Sequence, residues 1–170
     1  YFGYKVDAME KRCADALKMV GLDSKYLDMN PFKLSRGEMR KVSIASVLAF
    51  NPKVIIFDEP TVGLNSINKK NFIKLIQMLK NKYGKTILLV THDTELVYKC
   101  SDYTYILNDG EIVLEGNSKE VLTNSNLNEY GLERPKIVET IDYINKVKGL
   151  RMGYRVDVND LIKDIYRNAR

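Results

Sequence analysis

Apolar and polar positions recur with two different periods along this chain, and the change of period divides it. Asp7-x-x-Glu10 has capping-box spacing, and Met9, Cys13, Ala16, Leu17 and Val20 follow at helical intervals as far as Gly21, a helix-ending residue. An amphipathic helix is expected there. Turn-rich polar residues then run to Pro31. A second helix is expected over 36–50, where Met39, Val42, Ile44, Ala45, Val47 and Leu48 cover most of the circumference, so that it should be buried.

Beyond residue 50, strands and helices alternate. The expected order is a strand over 54–58, a helix over 66–82, a strand over 86–91 and a short helix over 94–99. Both strands are continuous apolar runs, the pattern of parallel strands covered on both faces. Tyr103 to Leu107 and Glu111 to Glu115 flank Asn108-Asp109-Gly110, a hairpin signal. After a short helix near 118–123, a polar stretch rich in Asn and Ser (123–130) separates off a tail. There Ile137, Val138, Ile141, Ile144 and Val147 form another amphipathic stripe, ended by Gly149, and a last helix is expected over 158–167. No internal repeat is visible.

Composition narrows the class. A chain of 170 residues with 45% hydrophobic content fits one domain, or one and a piece of another. No apolar run approaches the roughly 18 residues that cross a bilayer, and the N-terminus lacks a charged-then-apolar signal pattern. Tyr1 stands first and the helical pattern begins almost at once, so the chain is expected to be a piece of a longer protein whose missing part lies upstream. Cys13 and Cys100 have no metal spacing and make no disulfide framework, which favours a reducing cytoplasm. The net charge of +5 is spread along the chain without a block of like charges, so no nucleic-acid partner is expected.

Candidate chemistry lies between residues 34 and 92. Ser35-x-x-Glu38 satisfies the capping-box rule and by itself promises only a good helix start. Ser35, Gly37 and the free N–H groups of that first turn can also form an anion site, with the helix dipole adding its attraction for phosphate. Asp58 and Glu59 follow the strand 54–58 at its carboxyl end, where open parallel sheets bind ligands. Adjacent ionised carboxylates repel each other. The pair is explained if one holds Mg²⁺, usually through water, while its neighbour polarises an attacking water. His92 follows the strand 86–91, and a γ-phosphate contact is expected of it. Gly84-Lys85-Thr86 imitates the end of a phosphate loop. It is rejected, because Leu79 stands where glycine is required and the order is helix then strand.

These residues resemble the ATP-binding cassette (ABC) ATPases over about residues 5–123. Leu34 to Glu38 is similar to their signature motif, Ile55 to Glu59 to the Walker B strand, Gly63-Leu64-Asn65 to the D-loop, and His92 to the switch histidine. The stretch Pro31 to Ala45 and the tail Gly131-Leu132-Glu133-Arg134-Pro135-Lys136-Ile137 are similar to the ATPase subunits of energy-coupling factor (ECF) transporters, which import vitamins and metal ions. The resemblance implies an α/β fold, the C-terminal part of a RecA-like P-loop NTPase. Residues 1–50 would be the helical subdomain with the signature helix, 51–123 a portion of the core, and 124–170 a C-terminal helical extension. It implies ATP and Mg²⁺ as cofactors, with Asp58 toward the metal and Glu59 and His92 catalytic. Ser35, Arg36, Gly37, Glu38 and Asn65 would serve ATP held by a second ABC ATPase paired head to tail. A transmembrane coupling subunit, a substrate-binding membrane subunit and a peripheral position on the cytoplasmic face of the membrane are also implied. The Walker A loop, the adenine contact and the Q-loop glutamine are expected to precede Tyr1, so the 170 residues alone should be inactive.

Three residues depart from the family pattern. Arg36 replaces the usual glycine, Glu38 the usual glutamine, and Asn65 the D-loop aspartate. A composite site built on this signature is therefore expected to be weak. Two other functions compete with an importer ATPase: a catalytically degenerate regulatory subunit, and a soluble ABC ATPase of DNA maintenance, which would need a coiled-coil or zinc insertion that the sequence does not show.

Overall fold

A computed structural model describes residues 6–168. They divide into two compact units, one running to Ile56 and taking in Lys74–Leu88, the other comprising Phe57–Ile73 and the chain from Leu89 onward.

In the first unit, α1 (Val6–Met19) packs against α2 (Arg36–Leu48) and buries Ala16 and Leu17, with Val20 buried just past its end. Gly21, at φ 72°, turns the chain out of α1. The side chain of Asp7, read as its cap, lies outside the described residues. Two 3-10 turns, Ser24–Leu27 and Pro31–Lys33, lead to α2. That helix is less buried than its composition suggests: Ala45 and Leu48 are covered, whereas Met39 and Val47 are exposed. The covered positions form a narrow stripe, and Arg40 and Lys41 interrupt the rest.

Strands β1 (Val54–Asp58) and β2 (Thr86–Val90) pair in a two-stranded sheet. The bonds Thr86 N–H to Lys53 O (2.9 Å) and Glu59 N–H to Val90 O (2.8 Å) advance together along both chains, as in a parallel pair. The expectation of cover on both faces is corrected. Ile55 is buried, but Val54, Ile56, Leu88 and Val90 keep 57%, 65%, 50% and 49% of their surface. Among the described residues no element lies over that second face, so the strands alternate although their sequences do not. Helix α3 (Ser66–Asn81) connects them and buries Phe72, Leu75, Ile76 and Leu79. Phe72 meets Phe57 edge-on at 5.3 Å. The rejected Gly84-Lys85 pair lies in the turn between α3 and β2, where Lys85 donates to Asn51.

In the second unit, α4 (Thr94–Cys100) precedes an antiparallel hairpin of β3 (Tyr103–Asn108) and β4 (Glu111–Asn117). Asp109 and Gly110 both take positive φ, the requirement of a tight hairpin turn. Then follow α5 (Ser118–Thr123), α6 (Lys136–Lys148), closed by Gly149 in the left-handed region, and α7 (Val158–Asn168). The polar stretch 123–130 is not a simple separator. Asn124 caps a 3-10 helix over Ser125–Tyr130, and its Leu127 is fully buried. Leu127 joins Tyr98, Leu122, Val138, Ile141 and Leu161 in a single core, so the segments before and after that stretch share one apolar interior.

Candidate functional site

The signature helix start, in the first unit, is built on a closed capping box. Ser35, in extended backbone, accepts from Glu38 N–H at 3.3 Å, while Glu38 Oε2 accepts from Ser35 N–H at 2.9 Å and from the Ser35 hydroxyl at 2.6 Å. Tyr26 adds a fourth bond, donating to Glu38 Oε1 at 2.6 Å. The N–H groups of Arg36 and Gly37 have no acceptor among the described residues, as the geometry of a helix start requires. A Cβ placed on Gly37 would meet nothing within 4 Å. Glycine costs about 1 kcal/mol in a helix relative to alanine, and the chain's own packing does not ask for it here. The room it leaves faces outward.

Hydrogen bonds from the Ser35 side chain, from Tyr26 and from the Ser35 backbone hold the Glu38 carboxyl down at about 2. The Tyr26 phenol is pushed the other way by the same bond. Because the folded value of Glu38 is lowered, its contribution to stability is present above the ordinary 4.5 and is lost as pH falls through about 2. At neutral pH this carboxylate is ionised and fully engaged.

In the second unit, Glu59 sits one residue past β1 at φ 42°, a conformation rare for a residue with a side chain. Its N–H is fixed to Val90 O, which turns its carboxylate toward the residues that follow β2. Oε1 accepts from His92 N–H at 3.1 Å and lies 2.8 Å from His92 Nδ1, and Oε2 accepts from the Thr91 hydroxyl at 3.1 Å. The His92 hydrogen bond leads in holding the Glu59 carboxyl below its usual value, against burial. Asp58 differs: its carboxylate is exposed and takes up no protein hydrogen bond among the described residues. Asn65 caps α3 by accepting from Asn68 N–H at 2.8 Å, a task an aspartate would also perform, so the departure there removes charge and keeps the cap.

The structure thus joins Glu59 to His92 and shows Ser35 and Glu38 bonded to each other. It also adds residues that the sequence reading passed over. Asp93 caps α4 through Leu96 N–H (3.1 Å), and its Oδ2 accepts from the Thr61 hydroxyl (2.8 Å) and from Lys69 (2.5 Å). Its N–H donates to Thr91 Oγ1 at 3.1 Å, so Thr91 passes the restraint on to Glu59. Burial pushes the Asp93 carboxyl up, but the bonds from Lys69, Thr61 and Leu96 outweigh it and the net shift is down. An aspartate opening a short helix directly after the histidine was the available signal. Nothing in spacing revealed Tyr26 or Lys69, which act from elsewhere in the chain.

Residues 4–62 match the family model for ABC transporters. Over 98% of its length the chain is 36% identical to the energy-coupling factor transporter ATP-binding protein EcfA2 of Clostridium perfringens and covers 60% of that protein. Along nearly its whole length the chain is similar to ATP-binding cassette proteins. Among solved cassettes it resembles cbiO1 from Clostridium perfringens, part of the ABC transporter complex cbiONQ, at 32% identity and a TM-score of 0.65, over 83% of this chain and 56% of that one. A dimeric cassette in a post-hydrolysis state, bound to ADP and Pi, aligns at 32% identity and a TM-score of 0.61 over 70% of this chain and 51% of its own. The fold is that of a cassette nucleotide-binding domain, an α/β fold of the RecA-like P-loop class. The chain spans 51–60% of the length of these relatives.

Proposed function

We propose that the chain supplies the signature, Walker B, D-loop and switch-histidine part of the ATP-hydrolysing subunit of an ECF importer for a vitamin or metal ion. The observation that carries this reading is the contrast between two neighbouring carboxylates at the end of β1, Asp58 exposed and uncommitted, Glu59 held by Thr91 and His92. Asp58 offers the single hard oxygen ligand that Mg²⁺ accepts while keeping several waters, and would hold the ion through one of them. Bound there, the ion would offset charge on the β- and γ-phosphates. The Glu59 carboxyl, held below its usual value first by the His92 hydrogen bond, is an acceptor that can orient a water in line with the γ-phosphate. An ionised carboxylate only accepts, so His92 Nδ1 carries the proton between them. The far nitrogen, Nε2, is left for the contact with the γ-phosphate.

The open surface at Gly37 and the free N–H groups of Arg36 and Gly37 suit a phosphate approaching from outside, here ATP held by a second cassette subunit. No described helix is long and apolar enough to cross a membrane, so a transmembrane coupling subunit and a substrate-binding membrane subunit would provide the passage, with this subunit on their cytoplasmic face. The relatives' names support that assembly.

The test is reconstitution of the full-length protein with its partner subunits in vesicles, where ATP hydrolysis should accompany solute uptake. The 170 residues alone should show no turnover above buffer, because helix starts supply only part of the charge and donors that the α- and β-phosphates need. Turnover by the 170 residues would sink this division of labour. Cleavage that responds to DNA without any membrane subunit would favour the maintenance ATPase. A full-length protein that assembles without cleaving ATP would favour the regulatory subunit, the reading Arg36 and Glu38 suggest.

A further inference from the structure

The signature helix carries a carboxylate, Glu38, where the resemblance calls for a neutral amide. A negative charge at that helix start opposes the approach of phosphate. Yet this carboxylate is unlike a free surface charge. Three donors converge on it: the Ser35 hydroxyl and N–H at Oε2, and the Tyr26 hydroxyl at Oε1. The Ser35 N–H bond belongs to the capping box of a Ser-x-x-Glu helix start, and the hydroxyl bond comes from the same serine. The third is particular to this chain. Tyr26 comes from the 3-10 turn Ser24–Leu27, twelve residues away, and is itself half-buried, with the Lys25 ammonium 5.6 Å from its ring centroid. Without Tyr26, Oε1 has no donor among the described contacts and keeps its full charge beside the free N–H groups of Arg36 and Gly37.

We propose that Tyr26 is a positioning residue for ATP closure at this signature: by binding Glu38 Oε1 it orients the carboxylate and disperses part of the charge that would repel the incoming phosphate. The proposal rests on the reading of residues 35–38 as the site for a partner's ATP. It also alters the expectation of a weak composite site. With Glu38 engaged on both oxygens, the burden of that expectation shifts to Arg36, whose bulk and charge lie one residue before the open surface at Gly37.

The experiment is steady-state ATP hydrolysis by the full-length protein in its assembled transporter, with the other composite site silenced. Tyr26→Phe removes the donor and keeps the ring, so packing of the 3-10 turn is retained. At low salt it should raise the ATP concentration for half-maximal rate by about 3–10-fold, the range for losing one ordinary hydrogen bond, with little change in the rate at saturation. Repulsion between charges is screened as the Debye length contracts, so the defect should shrink toward twofold or less near 1 M salt. In a Glu38→Gln background, where no charge remains to be masked, Tyr26→Phe should have no further effect. A merely structural role for Tyr26 would show neither the salt recovery nor the dependence on Glu38. Gly37→Val provides the control on the underlying reading, since a Cβ at this position meets nothing within 4 Å and the added side chain stands where a phosphate would approach from outside. If Gly37→Val leaves activity intact, the signature does not serve ATP and both ideas fall. If Gly37→Val abolishes activity while Tyr26→Phe is silent, resists salt or persists with Gln at position 38, the Tyr26 proposal alone is overturned.

Discussion

Glu59→Gln in the full-length protein should lower ATP hydrolysis at this chain's own site by ~10² or more, while ATP binding persists. The substitution preserves shape. A glutamine oxygen can still accept from His92 N–H, and the neighbouring Asp58 is untouched as a Mg²⁺ ligand. What disappears is the negative charge proposed above to orient a water against the γ-phosphate. The amide nitrogen takes the place of Oε2, so the Thr91 hydroxyl must turn to accept from it or lose the contact. Single-site turnover is the measurement, in a transporter whose other site is silenced, alongside equilibrium binding of labelled ATP. Turnover near wild type would remove Glu59 from the catalytic role. A parallel loss of ATP binding would mean instead that the carboxylate shapes the site.

The strand and helix order was legible because long amphipathic runs and capped ends are local properties. Asp58, Glu59 and His92 could be placed on the basis of strand ends alone, and the structure brings the last two into contact. Burial was less legible. Val54, Ile56, Leu88 and Val90 have the composition of a doubly covered sheet, but cover depends on neighbours, and the pattern within a strand does not specify them. Leu127 shows the opposite case, in which a single apolar residue inside a polar run is fully buried because the surrounding helices close over it. The networks around Glu38 and Asp93 were invisible for the same reason. Tyr26 reaches Glu38 from twelve residues away and Thr61 reaches Asp93 from thirty-two, distances at which no periodicity carries information.

Asp93→Ala tests the second of those networks. The side chain of Asp93 is 14% exposed, and its removal takes the acceptor from Lys69, from the Thr61 hydroxyl and from Leu96 N–H at the start of α4. Loss of a helix cap costs about 1 kcal/mol, and an ammonium left without its partner adds about 1–3 kcal/mol, which gives a destabilisation of about 2–4 kcal/mol at neutral pH. Lys69 is 31% exposed and can turn toward water, which keeps the figure below that of a sealed ion pair. Lys69→Met should cost less, because Asp93 then retains Thr61 and Leu96. Denaturant unfolding at constant m-value separates these outcomes. The folded Asp93 carboxyl lies below its ordinary 3.8, so the stability it contributes is complete above that value and is lost as pH falls through the lowered one. The gap between wild type and Asp93→Ala should therefore be full at pH 7 and close in acid. Because Asp93 N–H also holds Thr91, which in turn holds Glu59, the variant should lower the hydrolysis rate at saturating ATP even where it remains folded. A variant within 0.5 kcal/mol of wild type at pH 7, or a gap that widens on acidification, would show that the Lys69 bond does not repay the burial of Asp93.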